Sequence, residues 1–219
     1  MIKLHDCKTP GAIEAQSFAI IDAEITNKIF AGPAWAIARR LVHTSGDLEL
    51  VSQLVLPETA IQAGLEALRR KAPIFTDTEM ACHGIPKRRL LALGTQARCL
   101  LSLPGCSERA QAEQITRSRA AMLAAAPLLP DAIVAIGNAP TALLALLELL
   151  AQGLKAPALI IGMPVGFVNA AEAKALLCQS PWPHLSIRGR KGGSPLAAAA
   201  VNALAELLLN PTGADQHIG

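Results

Sequence analysis

The chain has 219 residues, of which 52% are hydrophobic, 17% charged and 3% aromatic, and its formal net charge is +3. That length fits one domain with a substantial core, and the patterned apolar content excludes a disordered chain. So mild a charge, with no basic stripe among aromatics and no tyrosine at all, excludes a nucleic-acid platform.

The opening "MIKLHDCKTPG" lacks the apolar core of a signal peptide, and no apolar run reaches about 18 residues without a Gly, Pro or charge. Neither export nor a membrane span is expected, and the expected location is the cytoplasm. Cys7, Cys82, Cys99, Cys106 and Cys178 are odd in number, scattered and without a CxxC pair. They read as reduced thiols rather than as disulfides or a zinc site. So much apolar surface on so few charges suggests that some of it is buried between subunits.

The first half is predicted to be mostly helical. "PGAIEAQSFAIIDAEITNK" has apolar residues at 13, 18, 20, 21 and 25, close to helical spacing. "GPAWAIARRLVH" opens on Gly32-Pro33 and closes before Gly46. "PETAIQAGLEALRRK" carries a stripe of Ile61, Leu65 and Leu68, with acid first and base last to complement the helix dipole. "APIFTDT" and "GTQARCLLSL" each hold a strand. "EQITRSRAAMLAAAPLL" reads as a helix, and Thr116 offers an N-cap.

Three units then repeat strand, glycine turn, helix: "DAIVAIGNAPTALLALLELL", "PALIIGMPVGFVNAAEAKALL" and "HLSIRGRKGGSPLAAAAVNALAELL". The turn glycines are Gly137, Gly162 and Gly189, about 26 residues apart, the size of a βα unit. Continuous apolar strands followed by helices define the fold class: α/β, a mainly parallel β-sheet covered by helices on both faces, with a helical N-terminal part. No linker divides the chain, so residues 1–219 are expected to form a single domain. The helix "TALLALLELLAQ" is apolar nearly all round, with Glu148 its only charge. It is predicted to be buried on every side, either as a central core helix or as one shared with a second subunit.

Ligands of such sheets bind at the C-terminal ends of strands, near helix N-termini. The glycine turns offer backbone N–H groups there. None is a GxGxxG or GxxxxGK[ST] loop, which argues against a nucleotide-binding enzyme. Two readings remain: tight turns only, or a site for a carboxylate held by N–H groups with Arg188, Arg190 and Lys191. Arg117 and Arg119 stand at a helix start, where the dipole disfavours a cation. Each is either solvated or held by an anion. Asp77, Glu79 and His83 follow a strand and are candidate site residues, but their spacing fits no metal site.

His43 falls in the last turn of its helix, where the dipole favours the imidazolium, while Arg39 and Arg40 oppose it. It is either a general acid or a histidine whose N–H satisfies a carbonyl at the helix end.

The strings "RLVHTSGD", "IFTDTEMACHGI", "ITRSRAAM", "VAIGNAPTALLALLELL", "IIGMPVGFVNAAEAK" and "IRGRKGGSPLAAAAVNALA", in this order, resemble the precorrin-8X methylmutase family of cobalamin biosynthesis. "QSFAII" near the N-terminus fits as well, and the resemblance covers nearly the whole chain. It implies an isomerase that moves a methyl group from C-11 to C-12 of a corrin precursor, with or without cobalt. His43 matches the family's catalytic histidine. Ser17, Arg40 and Arg117 match substrate-contacting positions. Asn138 in "GNAPTAL", and Arg188 and Lys191 in "RGRKGGS", are the further substrate-binding residues that the resemblance suggests. It also implies a homodimer with the site near the subunit interface, a corrinoid partner, and no cofactor or metal, because nothing is oxidised or reduced. A non-catalytic corrinoid carrier is the alternative. Two departures stand out: "HTSG" where the family often has "HACG", placing Thr44 and Ser45 hydroxyls near the site, and Pro86 after "HGI" where a polar residue is expected.

Overall fold

Four-residue apolar runs, each closed by a glycine turn or a polar end, build the centre of a six-stranded sheet. The structure, a computed structural model, describes residues 9–210. The strands are β1 (Leu54–Val55), β2 (Ile74–Thr76), β3 (Ala97–Cys99), β4 (Ile133–Ile136), β5 (Leu159–Gly162) and β6 (His184–Ile187). Their order is β1-β6-β5-β4-β2-β3. All neighbours are parallel except β1, which pairs antiparallel with β6 through Leu54↔Ile187 and Val55↔Ser186. The side chains of β4, β5 and β6 are buried on both faces, as a doubly covered parallel sheet requires.

Among the described residues ten α-helices surround it: α1 (Pro10–Glu24), α2 (Gly32–Ser45), α3 (Glu58–Arg69), α4 (Glu79–His83), α5 (Lys87–Leu93), α6 (Cys106–Ala112), α7 (Arg117–Ala124), α8 (Pro140–Ala151), α9 (Ala170–Gln179) and α10 (Ser194–Leu209). One core joins α2, α3 and α10 to Ile133, Ala135, Leu159 and Ile161 on one face. The other joins α7, α8 and α9 to Val134, Ile136 and Ile160 on the opposite face. Glycine permits the closest approaches: a Cβ on Gly162 would lie 2.3 Å from Leu177 Cδ2.

Some predicted elements shift. Thr116 is the N-cap of α7, as its sequence suggests: its hydroxyl accepts the Arg119 N–H at 3.2 Å and the helix begins at Arg117, so Glu113 to Ile115 of the expected stretch lie outside it. A separate short helix, α6, precedes it. The apolar α8 is not buried on every side: Ala142, Leu143, Leu146 and Leu150 face the core, but Leu144 and Leu149 are half-buried and Glu148 is exposed. Cys82, Cys99, Cys106 and Cys178 are free thiols, and Cys7 lies outside the described residues.

Candidate active site

The order of the strands reverses direction between β2 and β4, and such a switch point opens a crevice at the strand ends. Here the protein fills that crevice itself. Asp77, 2% exposed at the end of β2, accepts the N–H groups of Gly137, Asn138 and Ala139 at 2.9, 2.8 and 2.7 Å. It thereby caps α8 from a neighbouring strand and occupies the helix start where a ligand anion was an open reading. Burial pushes its pKa up, against the downward pull of the three N–H bonds. Gly137 is further enclosed by the loop before α10, since a Cβ there would lie 2.6 Å from Ser194 Cα. Asn138 is exposed at this corner.

The loops after β5 and β6 carry exposed side chains. Val165, Phe167 and Val168 follow β5, with Phe167 83% and Val168 78% exposed. Arg188, Arg190 and Lys191 follow β6 and are exposed beside them. The Arg190 guanidinium lies 5.4 Å from the Phe167 ring centre. Met163 and the loop glycines pack the two loops together: Gly193 N–H donates to Met163 O at 2.9 Å and Gly166 N–H to Arg190 O at 3.2 Å.

Lys191 carries this edge to the histidine. Its ammonium donates to Asp47 Oδ2 at 2.5 Å, and Asp47 Oδ1 accepts the Glu49 N–H at 3.0 Å. The lysine holds the Asp47 carboxyl below the usual carboxylate range. Asp47 ends the turn that closes α2, whose Gly46 has φ of 65° and donates its N–H to Val42 O at 2.8 Å. The hydroxyls of the "HTSG" departure are taken up locally. Thr44 donates to Arg40 O at 2.8 Å, and Ser45 donates to Val42 O at 3.1 Å while accepting the Asp47 N–H at 3.2 Å. These bonds shape the helix end.

His43 and Ser17 share a cavity of about 290 Å³, lined also by Ile20, Ile21, Glu24, Val42, Gly46 and Leu48. Phe18 packs edge-on against His43, with ring centres 5.4 Å apart and planes at 75°. The same ring lies 4.4 Å from the Arg39 guanidinium and 5.0 Å from that of Arg40. Arg39 donates to Asp22 at 2.7 Å. Arg40, 12% exposed, donates to Glu14 at 2.5 Å and also to Glu206. Sequence spacing gave no signal for Glu14 and Glu206 as its partners, because one lies 26 residues before it and the other 166 after.

Arg117 stands exposed at the first turn of α7, on the sheet face opposite α2. Its neighbour Arg119 is held by the protein: two bonds, 3.1 and 2.5 Å, join it to Glu148. A second cavity of about 460 Å³ at the ends of β2 and β3 takes in Glu79, Cys82, His83, Lys87, Arg98, Cys99 and Ser102. Among the described residues no three His, Cys, Asp or Glu side chains are grouped to hold a metal ion.

The structure therefore brings Ser17, His43 and, through Asp47, Lys191 into one region, and sets Arg188 and Asn138 along the same strand-end edge. Arg40 stands behind Phe18, and Arg117 lies across the sheet. This is a doubly covered α/β fold whose strand-end loops combine exposed apolar side chains with cations, beside a histidine at a helix end. Residues 12–207 match the profile of the precorrin-8X methylmutase family. The chain is 43% identical over 197 residues to a precorrin-8X methylmutase of Sinorhizobium sp, covering 89% of this chain and 93% of that one. It is 42% identical over 209 residues to a cobalt-precorrin-8 methylmutase of Salmonella typhimurium, covering 92% and 97%. The crystal structure of a precorrin-8X methylmutase from Thermus thermophilus superposes with a TM-score of 0.84 at 41% identity, covering 91% and 98%. The chain belongs to the precorrin-8X methylmutase family and is an isomerase of cobalamin biosynthesis. No helix among the described residues is long and apolar enough to cross a membrane.

Proposed function

We propose that this isomerase, acting as one domain over the whole chain, converts precorrin-8X or its cobalt form by moving the ring methyl group from C-11 to C-12. His43 donates a proton to the macrocycle as the methyl migrates and takes it back afterwards. Ser17 shares its cavity and contacts the substrate there. Arg40, Arg117, Asn138, Arg188 and Lys191 hold its carboxylate arms and edges. Charge-assisted bonds from guanidinium and ammonium groups suit these arms, and exposed Phe167 and Val168 suit the apolar ring.

The observation that carries this reading is the Lys191–Asp47 ion pair, which sets a cationic loop against the turn after His43. A substrate anchored by its acid arms on that loop presents its ring toward the histidine cavity, which holds and orients it for the transfer. The enzyme functions as a homodimer in the cytoplasm, its site near the subunit interface. Arg117 across the sheet and the exposed Ile20, Leu48, Phe167 and Val168 support this arrangement, since a second copy can cover such side chains and add a cation to the site. The test is to incubate the protein with precorrin-8X and, separately, with its cobalt form, following visible absorption. The spectrum of the product corrin is expected with at least one of them; no spectral change with either overturns the reading.

A further inference from the structure

Lys174 breaks the pattern of its helix. The buried face of α9 is Ala170, Ala173, Lys174 and Leu177, the i, i+3, i+4, i+7 stripe of a core-facing helix. An apolar residue belongs at 174, yet a lysine fills it, 1% exposed and the largest fully buried side chain in the described protein. Burying an ammonium is costly unless a specific bond offsets it. Burial pulls the Lys174 pKa down to about 8. The bond it makes is to a loop carbonyl: Nζ donates to Lys191 O at 2.5 Å.

That carbonyl lies in the most constrained stretch of the strand-end edge. Arg190 O on one side accepts the Gly166 N–H, and Gly193 N–H on the other donates to Met163 O. Between them a Cβ on Gly192 would meet Met163 O at 2.2 Å, so the backbone there has no room to shift. Lys174 supplies the side-chain bond at the residue whose own ammonium reaches Asp47.

We infer that Lys174 is a positioning residue of the active site: by holding the Lys191 carbonyl it fixes the loop peptide that aims the Lys191 ammonium at Asp47 and at a carboxylate arm of the substrate. The inference rests on Lys191 binding substrate, as proposed above. Methionine matches the Lys174 stem in shape and carries no charge, so Lys174→Met is expected to keep the fold.

The test is a KM and kcat measurement on Lys174→Met, Lys191→Ala and the double variant. Lys174→Met is expected to raise KM about tenfold, the effect of one charge-assisted hydrogen bond, with kcat within about twofold. The double variant is expected to be no worse than Lys191→Ala alone, because the two act through one ammonium. A purely structural role lowers the active fraction and leaves KM untouched. An unchanged KM in Lys174→Met, or losses that simply add in the double variant, overturns the inference. A wild-type KM in Lys191→Ala is a different result: it removes the substrate role of Lys191, and the inference with it. Should Lys174→Met not fold, the same cycle is read with Lys174→Gln, whose shorter amide falls short of the carbonyl.

Discussion

Lys191 and Asp47, 144 residues apart in the chain, are joined by an ion pair of 2.5 Å that docks the loop after the last parallel strand onto the turn closing the His43 helix. Asp47 has a lowered pKa and Lys191 a raised one, each through the other. The pair therefore contributes from above the ordinary Asp value of 3.8 up to the ordinary Lys value of 10.5. It is lost as pH falls through the lowered Asp47 value or rises through the raised Lys191 value. Asp47→Asn is expected to raise KM for the corrinoid at pH 7, and the difference from wild type is expected to shrink at high salt, since the pair is exposed. Steady-state kinetics in low and high salt check this.

Asp77 is expected to be the most costly carboxylate to remove. Asp77→Ala leaves three N–H groups at the start of α8 without their acceptor and costs about 2–4 kcal/mol. Asp77→Asn keeps one acceptor oxygen but turns an amide N–H2 toward donors, and falls between Ala and wild type. Urea unfolding of the three proteins gives the order.

The buried Lys174 sets a pH dependence of stability. Its pKa is near 8 in the folded protein against 10.5 for a free lysine. Between those values the unfolded chain holds a proton that the folded one has released, so this group's contribution to stability rises with pH. The titratable neighbour on its own helix is Cys178, whose thiol also feels Arg188 at the end of β6. Lys174→Met is expected to melt no lower than wild type at pH 7. Any advantage it has narrows as pH climbs from about 8 to about 10.5. Thermal melts across that range check it.

Phe18 supports three groups at once, the His43 ring and the guanidinium groups of Arg39 and Arg40. Phe18→Ala is expected to lower kcat by roughly tenfold or more through loss of the histidine's orientation, and stability by about 1–3 kcal/mol. Phe18→Leu keeps part of the bulk and is expected to recover most of the stability but less of the kcat. Parallel melts and kinetics on both variants separate the two roles.

Much of this architecture is legible in the chain because the physics is local. Apolar runs with glycine turns mark β4 and β5, the same strand–glycine–helix order marks β6 despite its His184 and Ser186, and Gly46 marks the end of α2. Short elements carry no such period. α5, which opens on Lys87, Arg88 and Arg89, packs against α10, and the two-residue β1 is defined by its pairing with β6. The site divides in the same way. His43 and Lys191 stand in recognisable strings, but the Asp47 contact that relates them is set by the fold. Asp77 is visible as a strand-end carboxylate, yet its task is to cap α8, which only the crossing of β2 beside β4 reveals. Lys174 hides because a lysine within an apolar stripe looks like a solvated residue until its helix is packed.

The central claim is that His43 moves the proton in the methyl transfer, and one measurement addresses it directly: turnover of precorrin-8X by His43→Ala beside wild type, with product binding measured on the same samples. The expected result is a loss of about 10²–10⁴ in kcat with product affinity retained, the signature of a removed general acid in an intact pocket. Turnover at the wild-type rate would contradict it.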